Sequence, residues 1–154
     1  MIRPILVALA LTSPAFARIG ETPEQCEARY GKPVETREIS STYRKGGVIV
    51  DCWFIEGRCA KITFQTIQAT TTEKDASWNS FTEDHKSQLM AANSGGERWV
   101  RNGGTEYAPI FKTSDGSRNA KLGSGMVTIE SESWKISNLK LIDPAEIAES
   151  IKGF

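Results

Sequence analysis

Two β-rich runs around a glycine turn set the main constraint on this chain. They are Val48-Ile49-Val50-Asp51-Cys52-Trp53-Phe54-Ile55, then Glu56-Gly57, then Arg58-Cys59-Ala60-Lys61-Ile62-Thr63-Phe64. Branched and aromatic residues suit a pleated surface, and a glycine between two such runs marks a hairpin. Turn length decides what the hairpin can pack against, because a one-residue slip exchanges its two faces. A loop of Glu56 to Arg58 sets Val50, Cys52 and Phe54 beside Ala60, Ile62 and Phe64, an apolar set throughout. A two-residue loop mixes the faces, so the longer loop is the expected one. Trp53 then shares the opposite face with Ile49 and Ile55. Tyr43 and its neighbours add a preceding strand, with Lys45-Gly46-Gly47 as the turn.

Helix starts flank this hairpin. Thr22-Pro23-Glu24-Gln25 is a capping box with proline at the first helical position, and Gly31 and Pro33 stop the helix after Tyr30. Ser80-Phe81-Thr82-Glu83 has the same grammar and opens a helix to about Asn93, with Phe81, His85, Leu89 and Ala92 as the inward stripe. Between Glu97 and Ser137 the chain reads as strands broken at Gly103-Gly104, Asp115-Gly116 and Gly123-Ser124-Gly125. Val127 and Ile129 alternate on one strand, Trp134 and Ile136 on the next. Asp143-Pro144 starts a terminal helix over 143–152, with Ile147, Ile151 and Phe154 on its apolar side. The expected fold class is α+β: short capped helices on an antiparallel sheet, either one sheet with its helices on one face or a degenerate tandem of 18–67 and 80–140.

The N-terminus reads as an export signal. Met1-Ile2-Arg3-Pro4 is a short positive start, Ile5 to Leu11 an unbroken apolar run, and Ala15-Phe16-Ala17 a small-x-small cleavage site. Residues 1–17 are therefore expected to be a signal peptide and 18–154 a single domain, soluble in the periplasm or outside the cell. The apolar run falls far short of the roughly 20 residues of a spanning helix. The first cysteine, Cys26, lies well past Ala17, so neither a transmembrane nor a lipid anchor is expected. With Arg3 removed, 18 Lys and Arg face 19 Asp and Glu, a balance that excludes strong attraction to nucleic acid.

Three cysteines, Cys26, Cys52 and Cys59, enter an oxidising compartment on this reading. Cys52 and Cys59 sit either diagonally, about 7 Å apart, or on opposite faces, depending on the loop. Cys26 is thus expected to bridge Cys52 or Cys59. There is no Cys-x-x-Cys, and His85 is the only histidine, so no metal site and no cofactor are expected.

The stretch Ile19-Gly20-Glu21-Thr22-Pro23-Glu24-Gln25-Cys26-Glu27-Ala28-Arg29-Tyr30-Gly31-Lys32-Pro33, with the hairpin ending Phe54-Ile55-Glu56-Gly57-Arg58-Cys59-Ala60-Lys61-Ile62, resembles the opening of the SmpA/OmlA envelope proteins. The resemblance covers residues 19–64. It implies a fold similar to the β-lactamase-inhibitor protein and a module of the cell envelope that works by protein contact; it assigns no catalytic residue. The family's lipidated N-terminal cysteine has no counterpart here.

No catalytic motif is present. His85 falls on a helical stripe where a structural role is the simpler reading, and Gly123-Ser124-Gly125 lacks the spacing of a nucleophile elbow. Thr113 to Asn119 has too few acids for a calcium loop and reads as a surface turn. Aspartates and glutamates are plentiful, which keeps a small envelope hydrolase with paired carboxylates as an alternative, beside a structural envelope component. The tryptophans Trp53, Trp78, Trp99 and Trp134 serve either core or contact. The leading expectation is an exported, non-enzymatic protein-binding or inhibitor-like module with Ile49, Trp53 and Ile55 as its binding face.

Overall fold

A computed structural model of the protein describes residues 18–67 and 80–141. The expected leader, the connector with Trp78, and the expected terminal helix over 143–152 lie outside the described residues. Eight antiparallel strands form one sheet: β1 (Glu35–Thr36), β2 (Ser40–Lys45), β3 (Val48–Ile55), β4 (Arg58–Thr66), β5 (Trp99–Gly104), β6 (Pro109–Thr113), β7 (Arg118–Leu122) and β8 (Met126–Ser131). Their order across the sheet is β1-β2-β3-β4-β8-β7-β6-β5. Three short helices, α1 (Pro23–Tyr30), α2 (Glu83–Ala92) and α3 (Glu132–Leu141), complete an α+β architecture that is mostly sheet.

The hairpin of β3 and β4 combines both registers that its sequence allows. Glu56 and Gly57 form a two-residue turn with φ of 50° and 71°, so Ile55 pairs with Arg58 and Phe54 with Cys59. Positive φ at both positions matches the twist of the flanking strands. Farther from the turn Cys52 pairs with Ile62 and Val50 with Phe64, the register of a three-residue loop. A bulge at Ala60 joins the two. The expected longer loop is therefore corrected at the turn, while the pairing it implied holds along the strands.

That register lays two apolar rows across the sheet. One runs Tyr43, Val50, Phe64, Val127, Leu122 and the other Cys52, Ile62, Ile129, Ala120, every one buried. α1 and α2 cover this face, contributing Cys26 and Tyr30, and Leu89 and Met90, to the same cluster. Burial of such side chains is worth about 1.5 to 3 kcal/mol each, which holds helices too short to persist alone.

α1 forms where its capping grammar places it. Thr22 N–H donates to Gln25 Oε1 at 2.9 Å, Gln25 N–H returns to Thr22 Oγ1 at 3.3 Å, and Gly31 closes the helix at φ 88°. α2 begins two residues later than expected, because Thr82 rather than Ser80 is the cap, accepting from His85 N–H at 3.1 Å. The shift turns His85 to solvent; Phe81, Leu89, Met90 and Asn93 face inward instead.

Two further expectations are corrected. Gly103-Gly104 lies within β5, at a register shift, and the turn follows at 105–108. Trp134 and Ile136 belong to α3, not to a strand. Ser131 ends β8 and accepts from Trp134 N–H at 3.4 Å, so a serine cap outweighs the alternation of two apolar residues.

Candidate functional site

The chain brings its sulfur atoms together. Cys26 projects from α1, Cys52 from β3 and Cys59 from β4, and all three are buried in one cluster. The two-residue turn puts Cys59 opposite Phe54 and thereby on the face of Cys52, and the bulge at Ala60 lets it stay there while Ile62 and Phe64 keep the pairing of the longer loop. Backbone bonds fix the remaining geometry: Gly20 N–H donates to Cys59 O and Cys59 N–H to Glu21 O, both at 2.8 Å, so the residues leading into α1 run beside β4. The three thiols are free and buried together. The neighbouring Cys52, then Cys59, pulls the Cys26 thiol well below the usual range, with Arg29 adding attraction; proximity to Cys26, with burial, pushes Cys52 and Cys59 up. Among the described residues, no group of three or more His, Cys, Asp or Glu is arranged to hold a metal ion.

The opposite face of the sheet carries Ile49, Trp53 and Ile55, each half-buried. Trp53 pairs with Lys61 across the strands, and α3 lays Trp134 beside it, ring centroids 6.2 Å apart. Lys61 Nζ sits 4.6 Å from the Trp53 ring and 5.4 Å from the Trp134 ring, a cation held between two aromatic faces. Ser131 Oγ donates to Ala60 O at 3.0 Å, so α3 is tied to the bulge residue itself. Met126 and Val100 fall on the same face by register and are 47% and 44% exposed. Lys61 carries no signal of its own in the sequence, although the expected hairpin register pairs it with Trp53; Trp134, expected on a strand, reaches Trp53 because the Ser131 cap starts a helix there.

A cavity of about 460 Å³ opens on the helix-covered side. Tyr30, Val50, Phe64, Phe81 and Leu89 line it, and Lys45 and His85 also border it. Lys45 Nζ donates to Arg29 O at 2.6 Å, which fixes the end of α1 at this wall. No periodicity in the sequence announces this cavity, since it arises where α1 and α2 meet over β3 and β4. His85, read as structural, is an exposed residue at its border. Trp99 is a strut: its Nε1–H donates to Met90 O at 2.8 Å. Thr113 to Asn119 contains a hairpin turn in which Asp115 Oδ1 accepts from Ser117 N–H at 3.0 Å and Oγ–H at 2.9 Å.

No protein-family model matches the sequence, and no curated protein matches it. Among solved structures, a cysteine-rich secretory protein from Staphylococcus aureus aligns over 75% of this chain at 8% identity, with a TM-score of 0.45. The alignment spans 45% of that protein's length. Among the described residues, no helix is long and apolar enough to cross a membrane.

Proposed function

We propose that the protein is an exported, non-enzymatic module of the cell envelope that binds a protein partner through the sheet face bearing Ile49, Trp53 and Ile55. The observation that carries this reading is the Trp53–Lys61–Trp134 stack. It fixes two large aromatic rings on a sheet face that also bears the exposed Met126 and Val100 farther off, and preset aromatic residues dominate many protein interfaces. The leader over 1–17 supports export, and an oxidising destination supports a bridge from Cys26 to Cys52 or Cys59, worth about 3 kcal/mol by restricting the unfolded chain. We further read the halves 18–67 and 80–140 as a degenerate tandem within one domain. In support, a helix precedes four strands in each, and the last strands, β4 and β8, pair at the centre.

The test is a photo-crosslinker placed at Ile49 or Ile55 in the full chain, with partners identified from envelope extract. Trp53→Ala should weaken binding of the captured partner by about 2 kcal/mol or more. It should cost about 1 to 2 kcal/mol of stability through the lost ring and cation contacts. Tyr107→Ala, in the exposed β5–β6 loop, should leave binding intact. A partner retained equally by both variants removes the assignment.

The cavity favours a second reading, capture of a small amphipathic anion. Its volume is that of a small-molecule site, its lining is largely apolar, and Lys45 and His85 at its border suit a carboxylate. Titration with a fluorescent long-chain fatty acid should give saturable binding that Lys45→Glu weakens; an unsaturable signal rejects it.

A further inference from the structure

The three thiols do more than offer Cys26 a choice of partner. Each comes from a different element, each is at most 1% exposed, and all three lie in one buried cluster, with Cys52 and Cys59 on the sheet face that α1 covers. The two-residue turn at Glu56 and Gly57 sets Cys59 on the same sheet face as Cys52, so this third pair joins the two that involve α1. A cluster of this sort with an odd number of sulfurs can close only one bridge, and whichever bridge closes leaves a thiol against it.

We propose that Cys26, Cys52 and Cys59 form a three-way thiol–disulfide exchange site, in which any two close the bridge and the third displaces one of them. The inference stands apart from the partner-binding face and from the cavity. In the closing step, two thiols give up two protons and two electrons to a small disulfide oxidant such as oxidised glutathione, which leaves as two reduced thiols. In the exchange step, the third sulfur, as thiolate, attacks one sulfur of the bridge; a new S–S bond forms as the old one breaks. The displaced sulfur leaves as the thiolate and takes the proton released by the attacking thiol, so no net oxidation occurs. Two of the isomers tie α1 to the sheet, to β3 or to β4. The third, Cys52–Cys59, leaves α1 joined only through the chain and its non-covalent contacts, with Tyr30, a wall of the cavity, on that helix.

Trypsin separates the three cysteines, since Arg29, Lys45, Arg58 and Lys61 place them on different peptides. The full chain is refolded in a glutathione redox buffer, alkylated without reduction and mapped by mass. Cys26→Ser should give a Cys52–Cys59 linkage, Cys52→Ser a Cys26–Cys59 linkage, and Cys59→Ser a Cys26–Cys52 linkage. A variant that melts cooperatively yet has both remaining cysteines alkylated overturns the proposal. The wild-type chain decides the matter even where a variant fails to fold. Held at pH 8, it should yield at least two of the three linkages in one sample, each with the third cysteine alkylated. A single linkage that persists unchanged, or three alkylated cysteines, overturns exchange.

Discussion

α1 and α2 lie on the same face of one sheet, but the two halves fasten them with different chemistry. On the first half, α1 buries Cys26 among two other thiols and Tyr30 against Tyr43, ring centroids 5.6 Å apart, with the Glu21–Arg29 ion pair at the edge. On the second half, α2 buries Leu89 and Met90 but ends in an amide network around Asn93, which is fully buried. Asn93 Nδ2 donates to Leu89 O at 3.0 Å, Oδ1 accepts from Ile19 N–H at 2.9 Å, and its carbonyl accepts from Arg118 Nη1 at 2.6 Å. Sulfur and aromatic carbon tolerate small shifts, since their attraction is non-directional. An amide network is directional, and removing one member strands the others in a low dielectric. The first fastening is therefore the adaptable one, and the second is the one that specifies geometry.

The seam between the halves should be the most sensitive point, because it serves both helices. Phe64 on β4 pairs with Val127 on β8 and is 1% exposed. Phe64→Ala should lose about 3 to 5 kcal/mol in urea unfolding, through transfer plus the cavity left behind. A loss below 1 kcal/mol would mean that the halves are stabilised independently.

Asn93→Ala isolates the second fastening. It leaves the Ile19 N–H without its acceptor while the backbone carbonyl that Arg118 meets is retained, so the expected loss is about 1 to 3 kcal/mol. Because the acceptor lies on α2 and the donor precedes α1, the loss should appear as one cooperative transition by both far-ultraviolet and tryptophan signals. Two separated transitions would break the comparison, showing that Asn93 serves its own half alone.

How much of this was legible depends on the range of each signal. The cap of α1 and the turn at Gly46-Gly47 are local, and both stand where the residues placed them. The bulge at Ala60 was hidden: the turn prefers one register and the apolar face another, and only a residue inserted between them satisfies both. Cys59 lies on the turn side of that residue, so the two-residue turn decides which face it joins, and the longer loop that the apolar face favours would turn it away from Cys52. Ser131 is a plain cap signal that the alternation of Trp134 and Ile136 obscured. The cavity depends on how two helices meet across the sheet, a long-range outcome with no local signature.

The β3–β4 turn offers a gain rather than a loss. Among the described residues, Glu56 is the one non-glycine with positive φ, at 50°. A side chain held there costs about 1 kcal/mol, and asparagine tolerates the conformation better. Glu56→Asn should stabilise the protein by about 0.5 to 1 kcal/mol in thermal or urea melts. It should leave the thiol linkage pattern unchanged, since asparagine favours the same two-residue turn that holds Cys59 opposite Phe54. A changed linkage pattern would show that this turn does not set the position of Cys59 and hence the first fastening.

The smallest effect is expected at the turn between β6 and β7, far from both fastenings. The Ser117 N–H, together with the Thr113 and Ser117 hydroxyls, holds the Asp115 carboxyl down at about 2, against 3.8 for an ordinary aspartate. The ionised form is therefore favoured in the folded state. Its contribution is fully present above pH 3.8 and is lost as pH falls through about 2. The carboxylate is fully exposed, so solvent screens the effect. Asp115→Ala should lower the melting temperature slightly at pH 6, and the two proteins should converge as pH approaches 2. A difference that persists at pH 2 would assign the loss to the turn's backbone geometry instead of the charge. A difference that grows on acidification would reverse the sign of the linkage and show that the carboxylate is held more strongly in the unfolded chain.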